Sequence, residues 1–419
     1  MIISNWKKLF ASMNYFLKLI FFTKEYDVVF VSSVYFNRGH NGENALLKPM
    51  IESCKKNNLN FVIFEDADLK GEYKNFRRSN NSIPFDFISL LQVILRKFFN
   101  LIYKNSLSED ENYIREYKIS NVLKNFFFRK FNSKVYITLL WNNITLWRSI
   151  DPDSCVVDYQ HGVIYDGHLG YIKDGRPPKI KSANDIVTLV YGQGFKDILL
   201  DSDKSNFYGE NNVLKVGIKK EFNFKNLPPG NNRKILFSLQ IVPGLDVKLV
   251  NNYINNINKL ITFNKDFLTE NNYKIIFRHH PRYTTYNCPK INFEEDFIDF
   301  DNQTPILDLL DTVSMHMTFH STSVFDAAMI GIPSIFIDML EEMSPEEIFL
   351  NQYKYPCKDM IIKDYKDLEK ILLDLDNKEI FINNCHDVYQ WSQAFYNDFD
   401  EKIFEDFLSK KVNKYNLNN

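Results

Sequence analysis

"MTFHSTSVFDAAMIGIPSIFID", residues 317–338, opens on an apolar run, breaks at His320-Ser321-Thr322-Ser323, resumes with a helical pattern, stops at Gly331 and ends on a second apolar run. A buried strand, a helix and another buried strand within one short stretch read as a parallel pair joined by a crossover helix. The break has a chemistry of its own. A Ser or Thr at a helix start, together with the N–H groups left open there, makes an anion site. Plain N-capping by Ser321 or Thr322 is the other reading that these residues allow.

Outward from this unit the same alternation runs along the chain. Strand candidates at 26–33, 59–64, 134–139, 154–159 and 186–191 are followed by 233–239, 273–278, 314–319, 333–338 and 359–363. Helical patterns fall at 43–56, 85–130, 193–200, 245–263, 305–311, 322–330, 344–350 and 365–375. The polar stretch 218–232, with two prolines and a glycine, separates the two series. The predicted fold class is therefore α/β, with two Rossmann-like domains, 1–220 and 221–376, facing a central cleft. A helical segment, 377–419, is expected to pack back on the first domain.

Composition narrows the function. Hydrophobic residues at 45% and charged residues at 25% are the balance of a globular protein. Lys+Arg 51 against Asp+Glu 53 gives a net charge of -2, which argues against a nucleic-acid partner. The 5 cysteines are scattered without a CxxC pair, so neither a disulfide framework nor a zinc site is indicated, and a reducing cytoplasm is the simplest location. "NWKKLFASMNYFLKLIFF" near the N-terminus carries its apolar residues at helical spacing but is interrupted by Lys7, Lys8 and Lys18, and no small-residue cleavage site follows. It reads as an amphipathic helix that either packs on the body or lies on an anionic membrane surface. The helical pattern 85–104, with its basic end, leaves the same question open.

Glycine and histidine locate the chemistry. Six of the 14 glycines lie between 162 and 194, and six of the 8 histidines occupy three short stretches: His161 with His168, His279 with His280, His316 with His320. Each stretch follows or ends a predicted strand, where open α/β sheets bind ligands. "IIFRHHPRY", residues 275–283, brings Arg278, His280 and Pro281 to a strand tip, and "VVDYQHGVIYDGHLGY", residues 156–171, does so for Asp158, His161 and Asp166. No GxxxxGK[ST] loop is present, which excludes a P-loop nucleotidase.

The set "DYQHG", "YGQGFKDIL", "RHHPR" and "HSTSVFDAAMIGIPSIFID" resembles the two-Rossmann, GT-B type glycosyltransferases that build bacterial capsules and lipopolysaccharides. "HP" followed by a Ser/Thr cluster is similar to the CMP-sugar users, the sialyltransferases and Kdo transferases, and "QHG" is similar to the CDP-polyol phosphotransferases of teichoic-acid type. One departure weighs toward Kdo: in place of an acidic-acidic-glycine acceptor motif there are only "YDG" at 165–167 and "FEDADLKG" at 64–71. The resemblance implies transfer of Kdo or a related ulosonic acid from a CMP-linked donor to a glycan or glycolipid acceptor. Sialyl transfer, CDP-polyol phosphotransfer and nucleotide-sugar epimerisation are the alternatives.

Under this resemblance Arg278, His280, Pro281, Ser321, Thr322 and Ser323 hold the nucleotide phosphate. Asp158, His161 and Asp166 are the candidates for general base or nucleophile, with Asp158 preferred because a strand end holds it rigidly. Asp158 and His161 bracing each other and their loop is the plainer alternative. Gln160, Gly162, Gln193, Arg38, His40 and His320 would meet donor sugar or acceptor, although Arg38 and His40 also fit a simple capped loop. With one phosphate leaving among many donors, neither a metal nor a cofactor beyond the nucleotide-sugar is expected. Asp299 and Asp301 read as a turn.

Overall fold

The computed structural model describes residues 6–34, 42–67, 78–102, 108–139, 143–219, 232–239, 241, 246–280, 295–340 and 344–416. The chain divides into two compact units, 1–219 with 397–419, and 220–396.

The first unit is built on strands β1 (Lys24–Ser32), β2 (Phe61–Glu65), β3 (Ile83–Pro84), β4 (Phe131–Leu139), β5 (Cys155–Tyr159), β6 (Val187–Val190) and β7 (Val213–Lys215). They form one sheet in the order β3-β2-β1-β4-β5-β6-β7, and every pairing is parallel. Parallel sheets are covered on both faces, so their strands read as unbroken apolar runs; Val28 to Val31 of β1 sit buried between Phe61–Phe64 and Val135–Thr138. On one face an aromatic cluster joins helix Trp6–Leu19 to the sheet: the Phe16 and Phe64 rings are 5.7 Å apart, and the Phe64 and Trp147 rings stack at 5.8 Å.

The second unit repeats the plan with β8 (Lys234–Ser238), β9 (Lys274–Arg278), β10 (Ile298–Phe300), β11 (Met315–Thr318), β12 (Ser334–Ile337) and β13 (Ile361–Ile362), ordered β10-β9-β8-β11-β12-β13 and again all parallel. In each sheet the strand order reverses once, beside β4 in the first and beside β11 in the second. Such switch points open a crevice at the carboxyl ends of the strands. Both units are thus Rossmann-like.

The segment expected at 377–419 is divided. Helix Lys378–Phe395 stays with the second unit, where Trp391 stacks on Phe325 at 4.9 Å. From Asn397 onward the chain belongs to the first unit, and helix Glu401–Asn416 packs on β4 and on helix Lys48–Lys56. At this return Ile218 N donates to Asn397 O and Asp400 N to Val216 O, each at 2.9 Å. Gly217 lies between them at φ 79°, and a Cβ there would overlap the Asp398 carbonyl. Only glycine lets the two backbones pass this closely.

The long helical pattern at 85–130 resolves into Asp86–Ile102, Glu109–Leu123 and a π-turn, Lys124–Phe128. A capping box explains the new start at 109: Glu111 N donates to Ser108 Oγ at 3.3 Å, and Ser108 N to Glu111 Oε2 at 2.8 Å.

Candidate active site

In the first unit β5 delivers the loop 160–171. Asp158, near the end of that strand, is fully buried and pairs with the equally buried Lys181 at 2.6 Å. Lys181 Nζ also lies 3.7 Å from the centre of the Tyr171 ring. Burial pushes the ammonium's pKa down while Asp158 holds it up. This corrects the expectation for Asp158: a carboxylate sealed against its own counter-ion braces the loop and is not presented to an acceptor hydroxyl.

Gln160 is a brace as well. Its amide donates to Gly162 O at 2.5 Å and accepts from Tyr191 N at 2.8 Å, tying the loop to the end of β6, so it too is withdrawn from the sugar contact expected of it. His161, next in the chain, is half-buried with its ring 6.2 Å from that of Tyr171. Gly162 faces open space. Asp166 is exposed in a turn completed by Gly167 at φ 89°. His168 accepts from Gly170 N through Nδ1 at 3.1 Å, which puts the proton of its neutral form on Nε2. Burial, helped by the nearby Lys181 charge, lowers its pKa to about 4. Gln193 opens helix Gln193–Ser202 at the surface and bonds Asp197 at 2.7 Å.

A cavity of about 550 Å³ also lies in the first unit, its lining mixed, with Asp66, Gln92, Arg96 and Glu116 beside Val93 and Leu146 among others. Asp66 is the third residue of the "FEDADLKG" stretch, and burial raises its carboxyl to about 6.

In the second unit the site grows from β11. His316, completely buried in mid-strand, bonds Ser334 Oγ through Nδ1 at 2.8 Å, and Ser238 Oγ and Ser323 Oγ through Nε2 at 2.9 and 3.0 Å. Ser323 Oγ in turn donates to Ser321 Oγ at 2.8 Å. Burial lowers the imidazole to about 3, so it is neutral at pH 7 and joins three strands and the following helix through hydroxyl groups. Ser321 and Ser323 therefore face inward. The cap is also Ser321 and not Thr322: Ser321 Oγ accepts from Ser323 N at 3.3 Å, whereas Thr322 makes no side-chain cap bond.

The amides of Ser323, Val324 and Phe325 are already engaged, which corrects the idea that open N–H groups at this helix form the anion site. Thr322 is the exposed hydroxyl of the cluster, and beside it the half-buried His320 bonds the Tyr253 hydroxyl, 3.0 Å from Nδ1. Burial lowers His320 to about 4.

At the tip of β9, Arg278 Nη1 donates to Thr304 O at 2.5 Å and to Asp301 O at 3.3 Å. Asp301 itself closes that turn through Thr304 Oγ1 at 2.6 Å, as a turn residue would. His279 stacks on Phe300, and His280 follows half-buried. Pro281, Arg38 and His40 lie outside the described residues. Among the described residues no group of three His, Cys, Asp or Glu side chains is placed to hold a metal ion.

Composition and motif reading missed Lys181, Tyr253, Ser238 and Ser334. His316 carried the one available signal, a titratable residue inside the apolar run "SMHMTF".

No protein-family model matches the chain, and no curated protein matches it. Solved structures do. The wall teichoic acid polymerase TagF soaked with CDPG aligns at TM-score 0.51 and 13% identity over 98% of this chain and 99% of that one. The UDP-GlcNAc 2-epimerase from Neisseria meningitidis bound to UDP-GlcNAc aligns at 0.51 and 12%, over 92% and 100%. The S. aureus MnaA–UDP co-structure aligns at 0.52 and 10%, over 94% and 97%. At these identities the likeness is one of fold: two Rossmann-like units in GT-B order.

Proposed function

We propose that the protein is a GT-B type transferase that takes a nucleotide-activated sugar or polyol and passes it to a glycan or glycolipid acceptor. The observation that carries this reading is the cluster at the tip of β11, where a neutral buried imidazole fixes three serines and leaves Thr322 and His320 at the switch point of the second sheet. Hydroxyl and imidazole donors held rigidly at a strand end suit a phosphate leaving group, which needs stabilisation where charge develops. His280 contributes from the β9 tip. In the first unit the general base is His161, with Asp166 in reserve, since Asp158 is committed to Lys181. The cavity at Asp66 receives the acceptor. No metal or cofactor beyond the donor takes part, and the location is the cytoplasm.

Two supports favour a cytidine nucleotide. The "HP" and Ser/Thr residues resemble those of CMP-sugar users, and the TagF structure was soaked with CDPG. A CMP-linked ulosonic acid such as Kdo and a CDP-linked polyol are the donors this reading admits. The epimerase structures favour a second reading, in which UDP-GlcNAc is converted with no acceptor.

A thermal-shift comparison of CMP, CDP, UDP and GDP separates them. A cytidine nucleotide at about 100 times its Kd adds ~2.7 kcal/mol of stability. A response to UDP alone, with turnover of UDP-GlcNAc in the absence of acceptor, moves the protein to the epimerases. Silence to all four removes both readings.

A further inference from the structure

Helix Trp6–Leu19 has two apolar sides. At 100° per residue the buried Leu9, Phe16 and Leu19 fall within about 80° of one another, and these face the core. Trp6, Phe10 and Leu17 fall within about 40° on a separate stripe. That stripe stays open to solvent, Trp6 at 59% and Phe10 at 56% exposed. Just past the helix, Phe21 and Phe22 are 69% and 63% exposed, and Phe126 of the adjoining π-turn is 65% exposed. The π-turn packs on this helix, the Phe16 and Phe128 rings 5.4 Å apart, and just past both elements Lys130 Nζ donates to Phe21 O at 3.0 Å. The neighbouring helix Asp86–Ile102 adds Ile94, Phe98 and Leu101, again at helical spacing and exposed.

So many exposed aromatic side chains on these neighbouring elements mark a contact with something apolar. Charge says what it is. Lys7, Lys18, Lys24, Lys97, Arg129 and Lys130 are exposed around these side chains, and from Trp6 to Lys24 the sequence holds no acidic residue. A second copy of the chain would set these cations against their own kind. Among the described residues no helix is long and apolar enough to cross a bilayer, so the contact is a surface one.

We propose that this face docks on an anionic phospholipid bilayer, with Trp6, Phe10, Phe21 and Phe22 among the acyl chains and the lysines at the head groups. The arrangement, an apolar stripe bordered by Lys and Arg, is that of helices lying in the membrane interface. It is independent of the nucleotide reading: either stands if the other fails.

Flotation of the full chain with phosphatidylcholine vesicles, with and without phosphatidylglycerol, tests it. Binding is expected with phosphatidylglycerol only, weakening as salt is raised. The Phe10→Ser/Phe21→Ser/Phe22→Ser variant should lose about tenfold or more in partitioning. Its melting temperature should be unchanged, because these side chains are exposed. Each of Lys7→Glu and Lys18→Glu should cost roughly fivefold or more. The wild-type tryptophan emission should shift to the blue on binding, and Trp6→Phe should abolish that shift without releasing the protein, a readout that survives if the triple variant does not fold. Failure to bind phosphatidylglycerol vesicles, undiminished binding by the triple variant, or a dimer in light scattering that this variant dissociates would overturn the proposal.

Discussion

Two loops leave the interiors of two parallel sheets, and each stands on a buried polar brace of different electrical character. Beneath residues 160–171 the brace is ionic: Asp158 and Lys181, both sealed from solvent, meet at 2.6 Å. Beneath residues 319–323 it is neutral, one imidazole among the hydroxyls of Ser238, Ser323 and Ser334. The difference decides how each loop fails. An ion pair in a low-dielectric interior leaves a stranded charge when one partner is removed, whereas a neutral network loses one hydrogen bond at a time but is exposed to protonation. The first brace is brittle to substitution, the second to acid.

The largest expected effect tests the brittle side. Asp158→Asn should destabilise the first unit by about 3–5 kcal/mol, because Lys181 is left buried without a counter-charge. Calorimetry that follows the two units' transitions separately would register it, and Asp158→Leu with Lys181→Met should recover most of the loss. A fully stable Asp158→Asn variant with abolished turnover would reverse the assignment and return Asp158 to the chemistry.

Next in size is His161→Ala. Under the proposed role as general base, its loss should cost about 100-fold or more in turnover, with melting temperature and nucleotide affinity kept. Turnover that survives, and falls only on Asp166→Asn, would move the role along the loop.

The smallest effect, per unit of pH, is the acid response of the neutral brace. His316 sits at about 3 in the fold against an ordinary imidazole value of about 6.5 when unfolded, so between those values the unfolded chain binds the extra proton. Its contribution is therefore complete above about pH 6.5 and is lost as pH falls toward 3, at about 1.4 kcal/mol per pH unit. The melting temperature of the second unit should drop across that window, and His316→Asn should flatten the slope. A slope unchanged by the substitution would assign the acid response to other groups, His320 first.

The ten strands with apolar runs were legible in the sequence because a parallel strand buried on both faces shows itself in composition alone. Ile83–Pro84, Val213–Lys215 and Ile298–Phe300 were not: each has three residues or fewer, lies at a sheet edge and needs no continuous apolar stretch. Helix Ile144–Ile150 was also missed, since "ITLWRSI" is apolar nearly all round and shows no clear period. At the site, the loops were found from their glycines and histidines, but the direction each side chain faces was not. Asp158 looks like a catalytic carboxylate until Lys181, 23 residues on, is brought against it. His316 looks like one more cleft histidine until the register with β12 sets it opposite Ser334. Both pairings are non-local, and no spacing rule carries them.

The meeting of Gly217 with Asp398 has a consequence for the order in which the molecule is made. The first unit begins at the start of the chain, yet residues 397–416 dock on it only after the whole of 220–396 has been synthesised. Asn57 bonds Glu405 at 2.6 Å across 348 residues of chain. During translation the second unit, continuous in sequence, is thus made before the first receives this helix, and the surface of β4 and of helix Lys48–Lys56 stays uncovered until residues 401–416 have emerged.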